Sequence, residues 1–148
     1  MIDKTVIKKA TLKDVDSLLG LENKTFNFML WSKLDFINAV NNKEYLVLTL
    51  KIKNELIGFM VARLGKDECE IENVAIKENH RQKGCADRLV RAIIERATKL
   101  KCKNVFLEVA TNNLPAIKLY EKHGFKKSYT RKKYYGDIDA FVYALECI

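Results

Sequence analysis

Residues 85–100 constrain this chain more than any other stretch. Ala86, Leu89, Val90, Ile93, Ile94, Ala97 and Leu100 fall at i, i+3, i+4, i+7, i+8, i+11 and i+14. That spacing draws one apolar stripe along a helix and leaves charge on the rest of its circumference. Such a helix must lay its stripe on an apolar surface. Short β-rich runs flank it: residues 70–76 (EIENVAI) before and 105–109 (VFLEV) after. Strand, helix and strand in that order imply a parallel crossover, with the second strand buried between helices.

The remainder of the chain extends this unit. Val6-Ile7 begins a short strand, and Thr11-Leu12-Lys13-Asp14 has capping-box character ahead of Val15, Leu18, Leu19 and Leu21 at helical spacing. A loop carrying Phe26, Phe28 and Trp31 leads to Ser32, an N-cap candidate for a helix with Leu34, Ile37 and Val40 on its apolar side. Residues 45–51 and 56–64 read as strands around a turn at Lys53-Asn54-Glu55, and with 70–76 they should form an antiparallel meander. Asn113-Leu114-Pro115 opens a further helix, and Gly124 closes it after His123. Strands over 125–129 and 140–145 then surround a loop at 133–137. The order is β-α-α-β-β-β-α-β-α-β-β: an α/β fold with a mixed, mainly antiparallel sheet flanked by helices, in one domain over 1–148.

Charge and cysteines narrow the class. Lys plus Arg number 27 against 19 Asp plus Glu, a net +8, but the lysines are dispersed and no nucleic-acid signature accompanies the cluster Lys126, Lys127, Arg131, Lys132 and Lys133. No nucleic-acid partner is expected. The apolar runs are too short to span a membrane and the first residues lack a signal peptide's apolar core, so the expected location is the cytoplasm, as a monomer or weak homodimer. Cys69, Cys85, Cys102 and Cys147 have neither CxxC nor metal-ligand spacing and should be free thiols, with no metal bound. Cys85 follows His80 by five residues without a third orienting group, which favours a small buried residue over a nucleophile.

The turn Arg81-Gln82-Lys83-Gly84-Cys85-Ala86 lies between a strand and the amphipathic helix, where unpaired backbone N–H groups collect. Gly84 would let a phosphate approach the backbone, and Arg81, Lys83 and Arg88 add positive charge. By itself the same turn could simply redirect the chain.

Taken with its neighbours, the turn carries more weight. Asn73-Val74-Ala75-Ile76 precedes it, Leu107-Glu108-Val109 follows the helix, and Asn113-x-x-Ala116-Ile117-x-Leu119-Tyr120-x-x-x-Gly124-Phe125 comes next. In this order and spacing the segments resemble the GNAT superfamily of N-acyltransferases. Trp31-Ser32, Arg131-Lys132-Lys133-Tyr134-Tyr135 and Asp139-Ala140 are further similar to the acceptor-side segments of bacterial ribosomal-protein alanine N-acetyltransferases. The resemblance implies an enzyme that moves acetyl from acetyl-CoA directly to an amine. Backbone groups of Val74, Ala75 and Ile76 would meet the pantetheine arm, and Arg81, Gln82, Lys83, Gly84, Cys85, Ala86 and Asp87 the pyrophosphate. Asn113 would also hold the cofactor. Glu108 would act as base and Tyr120 as acid, with Trp31, Tyr134 and Tyr135 lining the acceptor cleft. The implied acceptor is a protein N-terminal α-amino group; a lysine, a polyamine or another small amine is the alternative, and a noncatalytic acyl-CoA sensor is a rival of another class. The chain departs from the subgroup in having Ala110 and Asn112 where Arg and Ser are frequent, which removes a possible ion-pair partner for Glu108.

Independent chemistry bears on these implied roles. An amine attacks a thioester only when neutral; an α-amino group with pKa about 8 is mostly protonated at neutral pH, and a lysine at about 10.4 almost wholly so. Glu108 interrupts an apolar strand, where burial should raise its pKa toward a useful value, unless a cation pairs with it as with an ordinary strand carboxylate. A phenol with pKa about 10 is better suited to donate a hydrogen bond to developing charge on sulfur than to give up its proton fully. Tyr120 shares a helical face with Ala116 and Ile117, so a packing role suits the same spacing.

Overall fold

The computed structural model describes residues 4–24 and 30–147, apart from the side chain of Tyr135. Phe26 and Phe28 of the first loop lie outside the described residues. The elements are β1 (Thr5–Lys9), α1 (Val15–Lys24), α2 (Lys33–Asn41), β2 (Tyr45–Ile52), β3 (Glu55–Gly65), β4 (Glu68–Ile76), α3 (Cys85–Lys99), β5 (Asn104–Ala110), α4 (Leu114–Lys122), β6 (Lys126–Tyr135) and β7 (Ile138–Glu146). They follow the order read from the sequence.

Local chemistry sets most boundaries. A short 3₁₀ turn precedes α1, where the Asp14 carboxylate accepts the Thr11 N–H at 2.8 Å and pairs with Lys51 at 2.7 Å. Ser32 caps α2: its hydroxyl accepts the Asp35 N–H at 3.2 Å while the Asp35 carboxylate accepts the Ser32 N–H at 2.8 Å. Lys53 and Asn54 both take positive φ, so β2 and β3 are joined by a two-residue turn and Glu55 already belongs to β3. One expected loop is absent. Residues 133–137 are mostly strand, because Lys133 absorbs a register shift at φ 50° with its N–H bound to Asp139 Oδ1 at 2.8 Å, and Gly136 makes the turn. Tyr134 therefore projects from β6, not from a loop.

All seven strands join one sheet in the order β1-β2-β3-β4-β5-β7-β6, antiparallel except where β4 meets β5. The stripe on α3 does what its spacing requires: Leu89, Val90, Ile93 and Ala97 are buried against Leu48, Met60, Ile71, Val105 and Leu107. A second, smaller cluster on the other face joins Leu18, Leu21 and Phe36 to Val47, Phe59 and Ala75. The two faces of the sheet thus carry α3 and α4 on one side and α1 and α2 on the other.

The sheet opens in its centre. Pairing of β4 with β5 runs from Glu68↔Asn104 to Ile71↔Leu107, yet β4 continues beside β3 to Ile76 and β5 continues beside β7 to Ala110. A bulge drives the divergence: Asn73 opposes Val61 and Ile71 opposes Ala62, leaving Glu72 as the extra residue of β4. Before it Cys69 and Ile71 face α3; beyond it Val74 and Ile76 do so, while Ala75 packs under α1 and α2.

Candidate active site

The turn entering α3 is built to present backbone donors. Gln82 and Gly84 both lie in the left-handed region, at φ 59° and 87°, and Gly84 is the N-cap of the 15-residue α3. Alternation with left-handed residues points successive N–H groups into one concavity, at the positive end of a helix dipole. Lys83 is exposed and Arg88 is half-buried one turn into α3. Arg81 has a different task, since its Nε donates to the Ile76 carbonyl at 3.0 Å and ties the turn to β4. These groups fit a diphosphate: backbone donors, nearby cations and a glycine where a Cβ would be strained.

Asp87 contributes through its place on the helix; its carboxylate is already committed. Lys122 reaches it at 3.0 Å, His123 Nε2 at 2.8 Å and Arg91 at 3.0 Å. Burial works to raise this carboxyl and the bonds from Lys122 and His123 outweigh it, so its pKa lies below the ordinary value. The result is a clamp between α3 and the end of α4. His123, the C-cap of α4, is largely buried in that clamp. Cys85 is buried and its thiol is pushed up by burial, which suits packing and not nucleophilic attack.

Beside this turn, residues 74–76 of β4 pair with β3 on one side only. Their other edge borders the central opening and offers backbone groups to an extended ligand, as an added strand would. Asn113, the N-cap of α4, accepts the Ala116 N–H through Oδ1 at 3.3 Å, which leaves its Nδ2 hydrogens as the group that could reach a cofactor. Tyr120 is buried on the α3/α4 face, edge-on to Phe125 at 5.5 Å between ring centroids.

Glu108 occupies the opposite face. Leu107 and Val109 point into the core under α3, so the alternation of β5 turns Glu108 toward the α1/α2 side, one residue beyond the last pair with β4. Its Oε1 accepts from Arg131 Nη1 at 2.8 Å, and the Tyr134 phenol lies close enough to feel its charge. Arg131 stacks on the Tyr134 ring at 4.4 Å. Burial, followed by the nearby charge of Glu108, raises the Tyr134 pKa. The arginine absent at position 110 is thus supplied in space by another strand. Ala110 and Arg131 both oppose Ala140, and these small neighbours let the arginine lie across β7 to Glu108.

Glu70 and Glu72 share this face. Burial, then the charges of Glu72 and Glu108, raises the Glu70 carboxyl, and burial raises that of Glu72 against the pull of Arg63. Sequence reading passed over both, although their alternation with Cys69 and Ile71 was a visible signal. Trp31 is half-buried on the α1/α2 side, 5.3 Å from Phe36 and 6.3 Å from Tyr45, whose phenol is raised by burial and then by the charge of Glu72. The structure therefore joins Glu108 with Tyr134, and Tyr120 with the cofactor-side helices. The opening between β4 and β5 lies between the faces that carry these two groups.

No helix among the described residues is long and apolar enough to cross a membrane, and no group of three potential metal ligands occurs among them. The family model described as acetyltransferase (GNAT) family matches residues 15–125. A Bacillus subtilis protein named putative ribosomal protein bS18-alanine N-acetyltransferase is 28% identical over 138 residues, covering 93% of this chain and 91% of its own length. The crystal structure of the ribosomal-protein-S18-alanine N-acetyltransferase from Escherichia coli superposes with a TM-score of 0.89 at 24% identity, over 97% of this chain and 94% of that one. Arabidopsis thaliana NAA60 in complex with a bisubstrate analogue gives 0.87 at 19% identity, over 96% and 97%.

Proposed function

Because this chain belongs to the acetyltransferase (GNAT) family and is an acetyl-CoA-dependent N-acetyltransferase, we propose that its acceptor is the N-terminal α-amino group of a protein, a small ribosomal protein in particular. The observation that carries the reading is the placement of Glu108, held by an Arg131 that stacks on Tyr134, where β4 and β5 part. The relatives named as acetylating a ribosomal protein's alanine support the choice of acceptor. A ribosomal acceptor would place the reaction in the cytoplasm.

In this reading acetyl-CoA supplies an activated thioester and lies on the α3/α4 side. The donors at Gln82, Lys83 and Gly84 hold its pyrophosphate with Arg88, while the open edge of Val74, Ala75 and Ile76 guides the pantetheine arm toward the opening. The acceptor enters from the α1/α2 face, past Trp31 and Tyr134. Glu108 takes a proton from the incoming ammonium, directly or through water, and so exposes the lone pair that attacks the thioester carbonyl. The C–N bond forms and the nitrogen sheds its second proton to solvent, the C–S bond breaks, and Tyr120 donates a hydrogen bond to the departing sulfur, which takes up a proton from solvent. Arg131, stacked on the Tyr134 ring, fixes the carboxylate's direction.

Pure protein given labelled acetyl-CoA tests this with peptides bearing a free or a blocked N-terminus, each with internal lysines, and with free polyamines. Label should enter only peptides with a free N-terminus, an alanine end foremost. Equal labelling of blocked peptides or polyamines would reassign the acceptor to lysine or a small amine.

A further inference from the structure

Glu22 is fully buried in the last turn of α1. A carboxylate is disfavoured there twice, by the negative end of the helix dipole and by the loss of water. Among the described residues it is paired with no cation; its bonds go to two neutral donors. Glu22 Oε2 accepts the backbone N–H of Trp31 at 2.7 Å, and Oε1 accepts from Asn73 Nδ2 at 3.2 Å. Trp31 directly precedes the Ser32 cap of α2. Asn73 is itself buried, between the bulge residue Glu72 and the segment 74–76.

One carboxylate thus fastens the start of α2, on the acceptor side, to the strand that borders the opening. An apolar side chain would fill the same space without the cost of burying a charge. From this we infer that Glu22 is a positioning residue for acyl transfer: it sets Trp31 and the beginning of α2 at a fixed offset from β4, so that an acceptor resting on Trp31 meets the thioester. The inference rests on the acetyltransfer reading for its consequence in turnover, and on the hydrogen bonds alone for the clamp itself. Leu18 and Val15 precede Glu22 at helical spacing on the same buried side of α1. A carboxylate on that stripe was the sequence signal.

The test compares the full-length wild type with Glu22→Leu and Glu22→Gln in two readouts. Acceptor KM should rise about tenfold or more in Glu22→Leu, the scale of losing hydrogen bonds to a charged group, while acetyl-CoA KM stays within about threefold. Glu22→Gln should return acceptor KM most of the way, because its amide oxygen still accepts the Trp31 N–H. Unchanged acceptor KM in Glu22→Leu, or equal rises in both KM values, overturns the proposal. If Glu22→Leu does not fold, Asn73→Ser is measured instead and should show the same split. The second readout is hydrogen exchange at the Trp31 amide, which should be protected in wild type and lose about tenfold of that protection in Glu22→Leu or Asn73→Ser. An unprotected Trp31 amide in wild type sinks the clamp, whereas a wild type that is protected there but transfers no acetyl sinks the acetyltransfer reading instead.

Discussion

The two faces of the sheet solve opposite electrostatic problems. On the α3/α4 face backbone donors and cations gather at the turn around Gly84, and the nearby carboxylate of Asp87 is shared by Lys122, His123 and Arg91. On the α1/α2 face carboxylates predominate: Glu70, Glu72 and Glu108 cluster with Arg63 and Arg131 as counter-charges. One surface suits a polyanion and the other an ammonium. In the proposed reaction the bulge at Glu72 and the parting of β4 from β5 would bring both within reach of one bond, without mixing charges that would otherwise neutralise each other. A sheet fully paired at its centre would keep the two chemistries apart.

The comparison is broken most severely at Glu108. Glu108→Gln should lower kcat by about a hundred- to ten-thousandfold with acetyl-CoA KM little changed, in steady-state assays. On the other face, Gly84→Val places a β-branched residue at φ 87° and crowds the anion site. Acetyl-CoA KM should rise about thirtyfold while acceptor KM holds. Arg131→Ala should cost about tenfold in kcat, and adding Ala110→Arg should restore part of it, since both positions oppose Ala140. The smallest effects separate the faces by pH. Asp87 has a lowered folded pKa, so its contribution is present above the unfolded value of 3.8 and is lost as pH falls through the folded one. Asp87→Asn should cost about 1 kcal/mol at neutral pH in urea denaturation and progressively less as pH falls below 3.8. Glu72 has a raised pKa and the opposite sign: its penalty grows as pH rises through the folded value, so Glu72→Gln should raise Tm by about 2 °C at pH 7 and leave it unchanged at pH 3.

Element order was legible because it rests on local rules: the stripe of α3, the caps at Thr11 and Ser32, the turn after Ile52, and Gly124 at φ 92° after α4. What the sequence hid was long-range. The extension of β6 through Tyr135 depends on Asp139 accepting the Lys133 N–H, and a stretch rich in lysine and tyrosine gives no sign of it. The ion-pair partner of Glu108 was sought near position 110, but Arg131 reaches it over Ala140, a meeting that only the strand order β5-β7-β6 creates. Likewise the resemblance set Trp31 beside Tyr134 in an acceptor cleft, but nothing along the chain showed that Trp31 would pack on Phe36 and Tyr45. Motif residues came from neighbours along the chain, and their partners came from topology.

The central claim is that the gap between β4 and β5 carries the reaction from one face to the other. A crystal structure of the acetyl-CoA complex tests it most directly. The account predicts a pantetheine arm along Val74 to Ile76 and a thioester carbonyl in the gap beyond Ile71 and Leu107, open to Glu108. A thioester enclosed on the α3/α4 side, screened from Glu108 by β5, would contradict it.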